Sequence, residues 1–410
     1  MTIASVPANQ DQAPAGLVQP AGPAYNVSIG YLRAFITLMV LAHHSVLAYH
    51  PYAPAPPSSL DDPIRWWQAF PIVDRQRWTG AALFAGFNDI FFMALMFFLS
   101  GLFLWNSLRR KGSGRFWLDR ARRLGLPFIV TAAVVAPLAY YPTYLQIGGS
   151  GLSGFWQQWR ALGNWPAGPA WFVWVLLLFD SMAAALFLLL PSWGDTLGRL
   201  AGAAGRRPIL FFALLVAVSS AVYVPLAVAF NPLRWSSLGP FTFQTSRLLH
   251  YLAYFLVGAG VGTYGLDRGL LASAGKLARR WAWWAIWALV AFGLAAGVGL
   301  AALTVHFGSR TWEIAADFTF VLSCAASSFA FLALFVRFAV RRSKAFDSLT
   351  RNAYGMYLIH YPIASWLQLA LLPLALPAAA KATLVFAGTA LASWAATAAL
   401  RRIPAVARVI

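Results

Sequence analysis

Ten stretches of roughly twenty or more mostly apolar residues recur along the chain. Each is long enough to cross a hydrocarbon layer about 30 Å thick as an α-helix. They cover residues 29–49, 81–108, 124–144, 169–190, 208–230, 245–266, 281–305, 314–340, 352–376 and 382–400. The apolar runs are continuous rather than alternating in short segments, which argues against a transmembrane barrel. The expected fold is therefore all-α, a polytopic membrane bundle of about ten transmembrane helices. Residues 29–403 form the membrane domain and 404–410 a short cytoplasmic tail. The first 28 residues hold no Lys or Arg and are rich in Ala, Pro and Gln. Without a charged segment followed by an apolar one they do not read as a cleaved signal peptide, and a disordered cytoplasmic tail is expected.

Composition excludes the other classes. The chain is 60% hydrophobic and 10% charged, whereas soluble domains carry about 25% charged residues. A net charge of +19, from 31 Lys and Arg against 12 Asp and Glu, would suggest nucleic acid in a soluble protein. In a bilayer protein it is what loops beside anionic headgroups produce, so lipid and not nucleic acid is the expected partner. The lone Cys324 leaves no intrachain disulfide to form.

The basic residues alternate along the chain. The loops after spans two, four, six and eight and the C-terminal tail hold twenty-one Lys and Arg, and the five opposite loops hold seven. This asymmetry puts both termini in the cytoplasm, requires an even number of spans, and implies residence in the cell's inner membrane. The largest outer loop, near 50–80, combines Pro51, Pro54, Pro56 and Pro57 with Trp66, Trp67, Phe70 and Trp78. It reads either as an interfacial anchor or as a lip over an outward-facing site.

Ionisable groups within spans cost about 2.5–3.5 kcal/mol at a helix centre and so call for an explanation. The set is Arg33, His43 and His44 in span one, His360 in span nine, and Asp89, Asp180, Asp317, Arg247 and His250 elsewhere. Arg33 and His44 are eleven residues apart, about three turns, which sets them on nearly one face roughly 16 Å apart along the axis. Arg33 then lies near the cytoplasmic end and His44 past the midplane, both looking into a common crevice. A guanidinium at the mouth can hold a phosphate or carboxylate, and a deep imidazole can take a proton from a hydroxyl. Taken singly, such an arginine is more often a snorkelling anchor and such a histidine more often a helix-to-helix hydrogen-bond donor. His360 is expected about two turns in from the cytoplasmic side, a depth that brings it towards span one, with Pro362 kinking the helix beyond it. No nucleophile elbow, H-E-x-x-H or metal-spaced Cys/His cluster occurs, so no metal is expected. Gly260, Gly262 and Gly265 spell G-x-G-x-x-G within a membrane helix, where the pattern means helix packing.

Five elements in chain order carry a resemblance. Arg33, ten residues, then His44 resembles the R-X10-H signature of the acyltransferase family 3 membrane proteins. Phe97-Phe98-Leu99-Ser100-Gly101 is similar to that family's second-span FF-x-x-SG element. Arg120 to Pro127 resembles its basic R-x-x-R-L-x-x-P element, Trp171-Phe172 its fourth-span LWF element, and Tyr354 to His360 its late Y-x-x-Y-L-x-H motif. Two positions depart: Gly30 stands where members often carry Asp, and Ala170 where a His usually precedes the LWF element.

The resemblance implies a stand-alone membrane O-acyltransferase, with acyl-CoA as a cytoplasmic co-substrate and no permanently bound cofactor. The acceptor would be a hydroxyl of an extracytoplasmic glycan or other carbohydrate. Spacing around spans two and three looks closest to the branch that modifies periplasmic glucans, including succinyl transfer. His44, His360 and Arg33 would be the catalytic residues, and Arg120, Arg122, Arg123, Trp171 and Tyr357 would bind the donor. His44 would act as general base on the acceptor or take the acyl group first. The competing reading is a proton-coupled transporter that uses the intramembrane His and Asp residues, although neither inverted repeats nor paired broken helices are evident. A regulatory or scaffold role would leave Arg33 and His44 dispensable.

Overall fold

A computed structural model describes residues 26–62, 65–304 and 309–410. Residues 1–25 of the expected tail and the end of the seventh expected span lie outside them. Each of the ten apolar segments is helical: Val27–Tyr49, Thr79–Lys111, Ser113–Gln146, Gly168–Leu189, Pro208–Phe230, Leu248–Tyr264, Trp281–Thr304, Arg310–Phe338, Lys344–Leu371 and Ala378–Leu400. Among the described residues eight are long and apolar enough to cross a membrane by length and composition. The other two are the sixth, only 17 residues long, and the ninth, whose first turns carry Lys344, Asp347 and Arg351. The chain folds as an all-α polytopic membrane bundle.

Span one starts at Val27, capped by the Asn26 side chain accepting from the Ile29 N–H at 3.1 Å. The helix therefore begins two residues inside what the sequence reads as tail. Two further helices, Leu152–Ala161 and Trp193–Gly205, fall in segments expected to be loops. The second carries Gly194, Gly198 and Gly202 on one stripe, and these meet Trp105, Thr263 and Tyr264. A two-stranded antiparallel hairpin, Trp235–Leu238 with Phe241–Gln244, forms between spans five and six. The Trp174 indole donates to its Thr242 carbonyl at 2.8 Å.

Close approach of backbones holds the centre together. A side chain at Gly262 would collide with the Leu102 carbonyl, one at Gly258 with Phe98, and one at Gly101 with Phe255. Spans two and six thus touch main chain to main chain, the small-residue packing expected where lipid supplies no hydrophobic drive between helices. This is the packing role expected for the glycine-rich stretch.

One end of the bundle gathers both ends of the described chain. The Asn26 side chain reaches the Leu266 carbonyl, the Tyr31 hydroxyl donates to Asp347 at 2.9 Å, and Arg123 Nε donates to the Arg408 carbonyl at 3.4 Å. At the other end residues 50–78 fold across the helix ends. Gln146 pairs with both the N–H and the carbonyl of Val73, at 3.1 and 2.7 Å, and Trp67 is buried with its indole donating to Leu60. Trp66 and Trp78 remain exposed. Lys381, which the sequence places among loop cations, lies inside the tenth helix. That helix starts four residues earlier than expected, and Lys381 Nζ is buried 2.7 Å from the equally buried Asp74.

Candidate active site

Spans one and nine run parallel and meet along their length. Thr350 donates to the Gly30 carbonyl at one end, and Gln368 Nε2 donates to the His44 carbonyl at 2.8 Å at the other. The ninth helix begins at Lys344, eight residues before the expected start. His360 is therefore about 24 Å along its axis from that start, at 1.5 Å per residue. His44 is about 26 Å along span one from Val27 by the same measure. Equal depth on parallel helices brings the two imidazoles together. The helix continues through Pro362 as far as Leu371.

His360 Nε2 lies 3.1 Å from His44 Nδ1. His360 Nδ1 is 2.6 Å from the Tyr357 carbonyl, and His44 Nδ1 is 2.9 Å from the Val40 carbonyl. A carbonyl only accepts, so the neutral His360 carries its proton on Nδ1 and presents a lone pair at Nε2. Only acceptors then face His44 Nδ1, which must hold the proton. The remaining lone pair of His44 is on Nε2. This order of donors and acceptors gives the pair a direction.

Aromatic rings close around it. Tyr361 meets the His44 ring edge to face with centroids 5.0 Å apart, and its hydroxyl donates to the Gln68 carbonyl of the outer loop at 3.2 Å. Tyr140 donates to the same carbonyl at 3.0 Å, which ties the loop at Gln68 to the tyrosine that packs on His44. A small cavity lined mostly by Thr131, Val135, Ala170, Tyr357 and Tyr361 opens between spans three, four and nine; neither His44 nor His360 lines it. The Tyr357 hydroxyl donates to the Pro169 carbonyl. Span three reaches this cavity through two wide π turns, Ala121–Gly125 and Thr131–Val135, a distortion frequent at functional sites.

The acyltransferase 3 family model, an acyltransferase domain, matches residues 26–398, nearly the whole chain. The chain belongs to that family. No curated protein and no solved structure matches it.

In this membrane acyltransferase the residues singled out from sequence divide into two groups. His44, His360 and Tyr357 come together at one depth between spans one and nine. Arg33 is exposed nearer the N-terminal end of span one, while Thr37 and Val40, on the stripe leading from it to His44, are buried. Arg122 and Arg123 are exposed on the first π turn, and the Tyr354 hydroxyl donates to the Arg123 carbonyl at 2.7 Å. Arg120 turns inwards, its Nε 3.2 Å from the buried Asp180 carboxylate and its guanidinium over the Phe116 ring. Trp171 stacks on Tyr251, centroids 5.7 Å apart, near Phe97.

The acyltransferase also has polar contacts that sequence reasoning did not assemble. Gln368 and Tyr361 hold span one beside His44. Tyr361 directly follows His360 and Gln368 lies seven residues further, about two turns, so the helix face these two share was the available signal. Arg247 Nη2 pairs with Asp89 at 2.7 Å, and its Nη1 donates to the Asp89 carbonyl at 3.0 Å. Each residue was noted as an intramembrane charge, but nothing in the spacing pairs span two with span six.

Proposed function

We propose that this acyltransferase moves an acyl group, acetyl or succinyl, from cytoplasmic acyl-CoA to a hydroxyl of an extracytoplasmic glycan or other carbohydrate. The directed His44–His360 pair carries the reading. With Nδ1–H held by Val40 and His360, His44 Nε2 is the free base and accepts the acceptor's hydroxyl proton. The oxygen attacks the thioester carbon and forms the ester bond as the carbon–sulfur bond breaks. The departing thiolate takes the proton from His44, so atoms and charge balance with free CoA as the second product. During the step His360 Nε2 and the Val40 carbonyl accept from the imidazolium and stabilise it, as an orienting acceptor does in a hydrolase triad.

The arginines fit the donor. Arg122, Arg123 and Arg33 are exposed at the basic end, where the phosphates of CoA would arrive and charge-assisted, often bidentate pairs would hold them. The cavity beside Tyr357 is mostly apolar-lined but holds only about 10 Å³, room for a single water, so its walls must part before an acyl or pantetheine segment can enter. Buried Thr37 and Val40 must give way for the arm to reach His44 along span one. The lip of residues 50–78 lies on the face where a carbohydrate would be presented.

Two measurements test this. Detergent-purified protein given acetyl-CoA or succinyl-CoA should release free CoA thiol. Deleting the protein from its host should lower the ester content of surface or periplasmic glycans by mass spectrometry. Wild type should restore the esters and His44→Ala should not, at equal amounts of inserted protein. Near-normal esterification by a stably inserted His44→Ala protein would overturn the mechanism.

A further inference from the structure

A second cavity opens at the start of spans five and seven, far in sequence from the histidine pair. It is lined by Arg207, Pro208, Ile209, Lys276, Arg280, Trp283 and Trp284. Arg207, Lys276 and Arg280 are all exposed, and among the described residues no ion pair to any of them occurs. Trp284 is 1% exposed, and its indole nitrogen has no hydrogen-bond partner among the described residues. Its indole nitrogen is enclosed, so Trp284 gives the cavity a ring wall rather than a donor. The 23-residue span five begins at Pro208, so the positive end of its dipole faces the same space.

These features select an anion with several acceptor oxygens. Three cations beside a helix N-terminus match a phosphate. The cavity lies on the side of the loops rich in Lys and Arg, and Trp283 beside it is 48% exposed. Tryptophan at that height marks the boundary between headgroups and acyl chains. We propose that the cavity formed by Arg207, Lys276, Arg280 and Trp284 is a binding site for the phosphate of an anionic phospholipid headgroup. The exposed Trp283 and Ile209 sit beside the lipid's glycerol and upper chains. The site does not depend on the acyl-transfer reading, because none of its residues belongs to the histidine pair or the donor arginines.

The test is native mass spectrometry of the purified full-length protein after exposure to phosphatidylglycerol, phosphatidylcholine, free coenzyme A or inorganic phosphate. Wild type should retain phosphatidylglycerol in preference to phosphatidylcholine. The triple variant Arg207→Gln, Lys276→Gln, Arg280→Gln should lose roughly a hundredfold in retention, about fivefold for each charge removed. A charge-matched control, Arg110→Gln, Arg115→Gln, Arg402→Gln, should keep it. Equal loss in both triple variants would overturn the proposal, since it would mean diffuse attraction to the basic face. So would coenzyme A or phosphate displacing the lipid from the cavity.

Discussion

His360 Nε2 stands 3.1 Å from Nδ1 of His44, although the two residues are 316 positions apart. The Tyr357 carbonyl behind His360 makes the contact directional, because it fixes which nitrogen of each ring carries the proton. In the proposed mechanism His44 is the proton-accepting residue and His360 the residue that positions it.

That division predicts different kinetics for the two. His44→Gln should remove the base and lower turnover by about 10²–10⁴-fold, the usual range for lost general-base catalysis. His360→Phe keeps a planar ring at that buried position but cannot accept from His44. It should lower kcat by about 10²-fold while the KM for acyl-CoA changes little, because the donor's phosphates bind elsewhere. Initial rates of thiol release across acyl-CoA concentrations separate the cases. A rise in KM with unchanged kcat would make His360 a donor contact instead.

The sequence was most informative where one physical constraint dominates. Hydrophobic length located all ten helices because a span has to bury its backbone groups within itself. Helical periodicity put Arg33 and His44 on one stripe, but it could not report what covers that stripe. Thr37 and Val40 are buried by neighbouring helices, and burial is a tertiary property. The ninth helix was started eight residues late because Lys344, Asp347 and Arg351 suppress its hydropathy, although they sit in a continuous helix. Lys381 was read as a loop cation for a related reason. Its partner Asp74 lies in a loop 307 residues away, and no local pattern announces the pair.

The Asp74–Lys381 bridge should behave as a buried pair. The side chains are 3% and 1% exposed, and Lys381 Nζ also reaches the Leu372 carbonyl at 3.4 Å. Lys381→Met alone strands a buried carboxylate and should cost about 3–5 kcal/mol. Asp74→Leu combined with Lys381→Met should recover most of that loss. Thermal unfolding in one detergent, read for the two single variants and the double, gives the coupling.

Glycine packing between spans two and six sets a third expectation. Any side chain at Gly262 meets the Leu102 backbone, which has no rotamer to change. Gly262→Leu should separate the helices and sharply reduce the yield of folded protein in membranes. Gly297→Ala in span seven, where nothing lies within 4 Å of an added Cβ, should be tolerated. Comparing the two by size-exclusion profile isolates the close approach from the general cost of altering a membrane glycine.

The three arginines of the span-three element should not behave alike. Arg120 is committed inwards to Asp180, with side chains 24% and 2% exposed, whereas Arg122 and Arg123 are exposed on the π turn. If the exposed pair holds donor phosphates, Arg122→Gln and Arg123→Gln should each raise the KM for acyl-CoA by roughly tenfold or more. A hydrogen bond to a charged group contributes about 1.5–3 kcal/mol. Neither variant should move the unfolding temperature much, since each residue is exposed. Arg120→Gln should do the reverse, leaving Asp180 buried without its counter-ion and lowering stability with a smaller effect on KM. The double variant Arg120→Gln, Asp180→Asn should restore stability, because the uncompensated charge is then gone. A large KM increase that persists in that stabilised double variant would instead make Arg120 a direct ligand of the donor.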